Sequence, residues 1–149
     1  MAAWQRALAG GLLTLLSCGL GSCNSSGSGE TVDDTKQWQG TWKLVSAVWN
    51  GEPQKAEVQW RVDGDHYTVR LNGQDAETDN FKLDPNAKHV DVFHHETPKG
   101  TYGGSAKGIY EVKGEVLRVC LDLTARQYPK SFEAGAGSRL VSYEFRREH

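Results

Sequence analysis

From residue 38 onward, glycine-containing turns divide the chain into short apolar runs, and this division constrains the fold more than any other feature. The runs are rich in aromatic and β-branched residues, and none of them sustains a 3.6-residue apolar period. Tight hairpins place glycine where φ must be positive. The clearest turns are Asn50-Gly51, Asp63-Gly64-Asp65, Asn72-Gly73 and Lys113-Gly114-Glu115. The pattern predicts an all-β domain.

The spacing of these runs favours a small antiparallel up-and-down barrel of about eight strands, because closure removes the exposed edges of an open sheet. In the first run, alternation places Trp42, Leu44, Ser46 and Val48 on one face. A helical turn is predicted at residues 54–57, and a long loop at 124–138 with at most a short strand at 131–132. The predicted strands are residues 41–49, 58–62, 66–71, 80–83, 89–94, 109–112, 116–121 and 139–145.

The segment before the β domain has the order of an export signal followed by a tether. Arg6 precedes an apolar run at residues 7–16, and Ser17 places a small residue directly before Cys18. An apolar run of about ten residues is half of what a bilayer crossing needs. We therefore predict a lipoprotein signal peptide at residues 1–17, a lipidated cysteine with a Ser/Gly-rich tether at 18–37, and the β domain at 38–149.

The residues around Cys18 resemble the bacterial lipobox, in which a cysteine receives diacylglycerol before cleavage. The match is Leu15-Leu16-Ser17-Cys18, and Leu20-Gly21-Ser22-Cys23 is a second, weaker match. Cys18 is the predicted lipidation site, with Cys23 as the alternative. The resemblance implies an exported, membrane-anchored protein of the cell envelope, since two or three acyl chains hold a protein on a membrane. An ordinary signal peptide, cut nearby to leave a soluble protein, is the remaining alternative.

Length and charge exclude several classes of protein. At 149 residues with a formal charge of −2, the chain has room for one modest core and no second domain. The adjacent pair Arg146-Arg147 and the separated Lys99 and Lys107 do not form a clustered basic face. Phosphate backbones require such a face, so no nucleic-acid partner is predicted.

Two separated features resemble the lipocalin type of barrel. Gly40-Thr41-Trp42 stands at the start of the first strand, and Arg146 or Arg147 follows the last one. In that fold a late arginine lies across the tryptophan face and closes one end of the barrel by packing and cation–π attraction. The resemblance implies that Trp42 and Arg146 close the barrel.

A longer resemblance covers nearly all of residues 38–147. The chain is similar to a family of small secreted or lipid-anchored domains described as the uncharacterised Planctomycetes domain. It departs from that family at Tyr128, where an arginine is usual, and at Ala87, where a proline is usual; any role of that arginine is lost or moved to Arg126. The family has no established activity. The matching segments are Trp38-Gln39-Gly40-Thr41-Trp42-Lys43-Leu44-Val45-Ser46, Lys82-Leu83-Asp84-Pro85, Lys88-His89-Val90-Asp91, Lys107-Gly108-Ile109-Tyr110-Glu111-Val112-Lys113-Gly114-Glu115-Val116-Leu117-Arg118-Val119-Cys120, Tyr128-Pro129-Lys130-Ser131-Phe132 and the closing Arg146.

One stretch has the chemistry of metal ligands. Imidazole and carboxylate groups suit a divalent ion, and they occur together at His89, Asp91, His94, His95 and Glu96. On an extended strand, however, His89 and His95 are roughly 20 Å apart at about 3.3 Å per residue. A surface strand that runs into a polar loop is the favoured interpretation, and no metal or other cofactor is predicted.

Cys120 is the one cysteine in the predicted β domain, and it lies in the middle of a predicted strand. A nucleophilic role requires an exposed thiol with a base such as His94 within hydrogen-bond reach. An inert strand residue is the favoured interpretation. Since no G-x-S-x-G, phosphate-binding glycine loop or H-E-x-x-H is present, the sequence predicts no enzyme.

Two functions remain. The first is a lipocalin-like module that holds a small apolar or amphipathic ligand at a barrel mouth near residues 124–138, since a barrel of about eight strands can admit one such ligand. Trp38, Trp42, Trp49 and Trp60 could line its cavity or fill the core. The second is a structural or interaction module with a filled barrel and a protein partner in the envelope. A hydrolase or metalloenzyme ranks third.

Overall fold

The computed structural model describes residues 33–149, with the side chains of residues 94, 95 and 101–103 excepted. One short helix precedes nine strands. They are α1 (Asp34–Trp38), β1 (Gly40–Trp49), β2 (Glu52–Gln54), β3 (Val58–Asp63), β4 (His66–Leu71), β5 (Gln74–Asp84), β6 (His89–Thr97), β7 (Gly100–Lys113), β8 (Val116–Asp122) and β9 (Leu140–Glu148). In this part of the chain, no helix has the length and apolar character needed to cross a membrane.

The strands close into an antiparallel up-and-down barrel, which confirms the predicted fold class. β1 pairs with β3, each later strand pairs with the next, and β9 returns to pair with β1. Eight strands form the wall, while the short strand β2 adds to one edge of β1. The predicted helical turn at residues 54–57 is wrong, because Gln54 ends β2 and residues 55–57 have no regular structure.

Two strands are longer than predicted. β5 begins at Gln74 and β7 at Gly100, several residues before the predicted starts at 80 and 109. The early part of β7 contains Gly103, Gly104, Ser105 and Gly108, residues with weak strand preference when taken alone. Pairing with β6 supplies the hydrogen bonds that stabilise this part as a strand.

A bulge in β1 changes which residues of this strand face inward. The pairing with β9 shifts between Leu44 and Ser46, so that Val45 is an extra residue. Trp42 and Leu44 point inward, but beyond the bulge the inner residue is Ala47, and Ser46 is exposed. The prediction that Ser46 and Val48 share a face with Trp42 and Leu44 is therefore wrong, because a one-residue shift exchanges the two faces of a strand.

Helix α1 covers one end of the barrel, here called the lower end, where the turns at residues 64–65, 85–88 and 114–115 also lie. Asp33 caps the helix by accepting a hydrogen bond from the Thr35 backbone N–H. The Gln39 side chain exchanges two hydrogen bonds with the backbone of Gly64, at 2.7 and 3.0 Å. Residues 34–37 were assigned to the tether from the sequence, but they belong to the folded domain.

A buried carboxylate fastens the helix to the wall. Asp34 is 4% exposed and accepts hydrogen bonds from Lys88 Nζ at 2.6 Å and from the Tyr110 hydroxyl at 2.5 Å. Burial alone raises the pKa of Asp34, but these hydrogen bonds and the Lys88 charge outweigh it, so the pKa lies below its ordinary value. The carboxylate is therefore a structural anchor.

Aromatic side chains fill the lower half of the barrel. The Trp38 ring lies 5.0 Å from Phe81 and meets Tyr110 edge-on at 5.3 Å, and Trp60 lies 4.4 Å from Phe145. Trp38, Phe81, Tyr110 and Phe145 are at most 4% exposed. The lower half of the barrel is therefore filled by side chains.

Candidate functional site in the barrel interior

The lower end is sealed by an arginine that lies on the Trp42 ring, and this arginine is Arg147. Its guanidinium carbon is 4.2 Å from the ring centroid, and it donates hydrogen bonds to the backbone carbonyls of Gln37 and Gln39. The sequence predicted Arg146 for this role. β9 continues to Glu148, so alternation after the inward Phe145 turns Arg146 outward and Arg147 inward.

Gly40, the first residue of the G-x-W motif, occupies a backbone position that favours glycine. Gly40 has φ +110°, a conformation that side-chain-bearing residues rarely adopt. A Cβ at this position would also lie 3.2 Å from Arg147 Nη1. Trp42 in turn donates from its indole Nε1 to the Trp38 carbonyl at 2.7 Å. The G-x-W motif and the late arginine therefore form one closing unit with helix α1.

The upper half of the barrel is open inside. A cavity of about 220 Å³ lies above the Trp60 and Tyr67 rings, within the wall formed by β3 to β9. For comparison, an apolar cavity of about 150 Å³ is enough to bind benzene. Its described lining residues are Val58, Trp60, Tyr67, Val69, Leu71, Glu77, Asp79, Val92, Ala106, Leu121, Leu123 and Tyr143.

A second cavity, of about 330 Å³ and more open to solvent, lies beside the first along β1 and β9. The two share Val58, Leu123 and Tyr143 as lining residues. Its wall is almost wholly apolar and includes Ala47 and Trp49, the latter 54% exposed. We call the two cavities together the upper chamber. Small-molecule sites have this character, with mostly apolar walls and a few placed polar groups.

Two acids and two phenols of the upper chamber interact with one another. Asp79 is 2% exposed, and the Tyr67 hydroxyl donates a hydrogen bond to its carboxylate. Burial, followed by the charges of Asp79 and Glu77 among other causes, raises the pKa of Tyr67 well above its ordinary value. Burial and the same two acids raise the pKa of Tyr143 to about 12. Both phenols are therefore neutral hydrogen-bond donors at physiological pH.

The long loop, residues 123–139, lies along the outside of the barrel. The Tyr128 ring stacks on His89 at 3.7 Å, and its hydroxyl donates to Asp91 Oδ1 at 2.8 Å. Phe132 packs under the Arg118 guanidinium at 4.4 Å. The partners of both rings are outward residues of the wall. A ligand at the mouth near residues 124–138 was predicted, but of the described residues 123–139 only Leu123 borders the upper chamber.

In the stretch with metal-ligand chemistry, residues 89–96, the long loop contacts two of the candidate side chains. His89 and Asp91 both contact Tyr128 on the outer wall, and Glu96 is exposed near the upper end of β6. The side chains of His94 and His95 lie outside the described set. Among the side chains that are described, no three His, Cys, Asp or Glu groups are close enough to hold a metal ion.

Cys120 is fully buried between β7 and β9 on β8. Burial raises the pKa of its thiol to about 11, so the thiolate that a nucleophilic role needs is a minor species at neutral pH. The predicted lipidation residues, Cys18 and Cys23, lie outside the described residues.

A depression of about 460 Å³ near α1 is larger than either cavity of the upper chamber, but its polar groups already serve the fold. Asp34, Lys88 and Tyr110 line it, and they are bound to one another. The upper chamber is therefore the candidate site.

The chamber's acidic residues were missed from the sequence. Glu77, Asp79 and Phe81 alternate along β5, a pattern in which only Phe81 signals the interior. Strand alternation was the available signal: side chains two and four positions before the apolar Phe81, those of Asp79 and Glu77, leave the same face of β5.

Comparisons with known proteins add one likeness. No protein-family model matches the chain, and no curated protein matches it. Among solved structures, the chain is similar to a crystal structure of a point mutant of the fluorescent protein UnaG. The identity is 14% and the TM-score 0.40, over 76% of this chain and 98% of that chain. At this TM-score the likeness assigns neither a site nor a ligand to the chain.

Proposed function

We propose that this chain is a binding protein of the cell envelope that holds one small amphipathic molecule in the upper chamber. The observation that carries the proposal is the contrast between the two halves of the barrel. Aromatic rings fill the lower half, whereas the upper half leaves apolar space, partly open to solvent, beside buried polar groups. A protein with a purely structural barrel has no need for such space, because interiors pack to high density.

The proposal includes export and lipid anchoring through Cys18, with Cys23 as the alternative. Its support is the order of charge, apolar run and small residue in the first 18 residues, and the lipobox resemblance. Membership of the Planctomycetes domain family is proposed on the segments matched above. The role proposed is binding, without catalysis.

A second candidate function is a protein-interaction module in the envelope. The observation that favours it is the exposure of large apolar side chains, with Val45 and Trp49 each 54% exposed on β1. Trp49 also lines the upper chamber, so contact with the exposed edge of a bound ligand would equally explain its exposure.

Native mass spectrometry of the full chain purified from its own host distinguishes these functions. We expect a discrete adduct on the folded protein that denaturation releases. A folded protein without adduct that carries a stoichiometric protein partner would contradict the ligand proposal.

A cavity-filling variant tests whether the adduct binds in the upper chamber. Ala106 is 3% exposed and lines the 220 Å³ cavity, so Ala106→Leu places methyl groups in the space the ligand would occupy. We expect adduct occupancy to fall by about tenfold or more, because overlap with a ligand costs 1–3 kcal/mol or more. Ala87→Leu, at an exposed position in the lower turn at residues 85–88, should retain the adduct. Equal loss in both variants would contradict the assignment to the chamber.

A further inference from the structure

We propose that Trp49 and Leu123, here called the rim residues, determine which ligands the upper chamber accepts. They hold an apolar part of the ligand that extends from the 220 Å³ cavity, the inner cavity, into the 330 Å³ cavity, the outer cavity. This inference rests on the proposed binding function. It names the residues that select the ligand and the ligand's chemical class, an elongated amphiphile.

Three side chains connect the inner cavity with the outer cavity. Val58, Leu123 and Tyr143 line both, so each of them can touch a single ligand that occupies the two. Val58 and Tyr143 lie within strands β3 and β9, whereas Leu123 directly follows β8. Leu121, two positions earlier, also lines the inner cavity, so Leu123 continues the inner face of β8 to the rim.

The exposure of apolar side chains is concentrated where a ligand would cover them. The large exposed apolar side chains of the described residues are Val45, Trp49, Leu71 and Leu123. The last three all line the upper chamber, while Val45 is the extra residue of the β1 bulge. Trp49 is 54% and Leu123 51% exposed. A ligand that removes this apolar area from water gains binding free energy.

Hydrogen bonds at the start of the long loop fix the position of Leu123. The Asp122 carboxylate is buried and accepts from the Thr124 backbone N–H at 2.8 Å and from the Thr124 hydroxyl at 2.6 Å. It also accepts from the Gln127 backbone N–H at 3.3 Å. These bonds turn the chain away from the chamber directly after Leu123, which is left as the last inward side chain.

The far end of the same loop supports the turn that follows Trp49. The Asn50 backbone N–H donates to the Leu140 carbonyl at 3.1 Å, and the Gly51 N–H donates to the Ala134 carbonyl at 2.6 Å. Ala134 is itself buried. Both rim residues therefore stand on backbone that is already fixed, and this lowers the entropy cost of binding a ligand between fixed walls.

The outer cavity selects an apolar group. Its described lining is apolar except for the Gln54 amide and the Tyr143 hydroxyl. A polar group against this wall would find few hydrogen-bond partners, whereas an apolar group removes apolar surface from water. The inner cavity has the additional phenol of Tyr67. We therefore expect the polar end of the ligand in the inner cavity and its apolar end against the rim residues.

Three neutral probes with the same phenol head test this inference on the full chain by calorimetric titration. Phenol is close in size to benzene, which a cavity of about 150 Å³ can hold, so it fits the inner cavity alone. 4-Butylphenol adds a chain that reaches the outer cavity, and we expect it to bind about tenfold or more tightly than phenol. 4-(3-Hydroxypropyl)phenol replaces the terminal methyl group by a hydroxyl, and should bind about as weakly as phenol.

Substitution of the rim residues should affect the longer probe selectively. Trp49→Ala and Leu123→Ala should each weaken 4-butylphenol binding by about fivefold or more. Trp49→Ala should leave phenol binding nearly unchanged, because Trp49 lines the outer cavity and is absent from the inner lining. Val45→Ala is the matched control: Val45 is as exposed as Trp49 on the same strand but lies outside both linings, so all affinities should be retained.

The possible results separate this inference from the proposed function. If phenol binds but 4-butylphenol binds no more tightly, or if Val45→Ala weakens its binding as much as the rim substitutions do, the role of the rim residues is overturned while a ligand-binding chamber remains supported. Should either rim variant fail to fold, the three-probe comparison on the unaltered protein still decides the question. Absence of binding by all three probes would overturn the inference and also contradict the proposed function.

Discussion

The Trp42→Ala variant is expected to lose about 3–5 kcal/mol of unfolding free energy, the range measured when a large buried aromatic residue is truncated. Trp42 is fully buried, and it is the platform for Arg147. Its loss leaves a cavity beneath the guanidinium and removes the indole donor to the Trp38 carbonyl. Both helix α1 and the end of β9 lose their common support.

Urea denaturation followed by far-UV circular dichroism measures this effect. Trp49→Ala is the matched control, because Trp49 is 54% exposed and its ring lies outside the buried core. We expect it to cost clearly less than Trp42→Ala, since large losses arise where a core side chain leaves a cavity. Similar losses for the two variants would contradict the role of Trp42 as the closing residue.

The Asp34→Ala variant is expected to lose about 1–3 kcal/mol, the cost of leaving a buried hydrogen-bond donor without its acceptor. The donor is the hydroxyl of Tyr110, a residue only 2% exposed. The substitution also releases Lys88, whose side chain is 55% exposed and so contributes little. Removal of the acid should loosen α1 from the lower end of the barrel.

A double-mutant cycle with Tyr110→Phe tests this explanation. If the Asp34–Tyr110 hydrogen bond is the cause, the losses of the two single variants should add to clearly more than that of the double variant. Asp63→Ala, at an exposed position, should have little effect. Strict additivity of the two losses would contradict the proposed coupling.

The Asp34 carboxylate also predicts that the stability of the fold depends on pH. Because the pKa of Asp34 is lowered in the folded state, its ionisation stabilises the fold above the ordinary pKa of aspartate. This contribution is lost as the pH falls through the lowered pKa. The stability difference between the unaltered protein and Asp34→Ala should therefore shrink in acid.

The barrel could be predicted from the sequence because the residue patterns that indicate its strands and turns are local along the chain. Turn glycines and alternating apolar residues depend on neighbours along the chain, and the Gly40 to Trp42 motif combines a positive φ with a buried ring. The choice between Arg146 and Arg147 depends on where β9 ends, and this strand end is set by pairing with β1 rather than by β9 alone.

The remaining features depend on contacts between distant residues. Helix α1 has five residues, too few for an apolar period, and Asp34 acquires its role from Lys88 and Tyr110 across the fold. The bulge at Val45 requires two strands to be compared. Tyr128 fastens the loop to His89 and Asp91 on the outer wall, which no local pattern indicates.

The central claim is that a small molecule occupies the upper chamber, and methyl NMR of the full chain titrated with 2-phenylethanol tests it most directly. The account predicts saturable shifts of the Ala106, Leu123 and Ala47 methyl signals, because these residues line the two cavities. The signals of Val90 and Leu117, fully buried and outside the chamber lining, should move little. Shifts that never saturate, or that spare Ala106 and Ala47, would contradict the account.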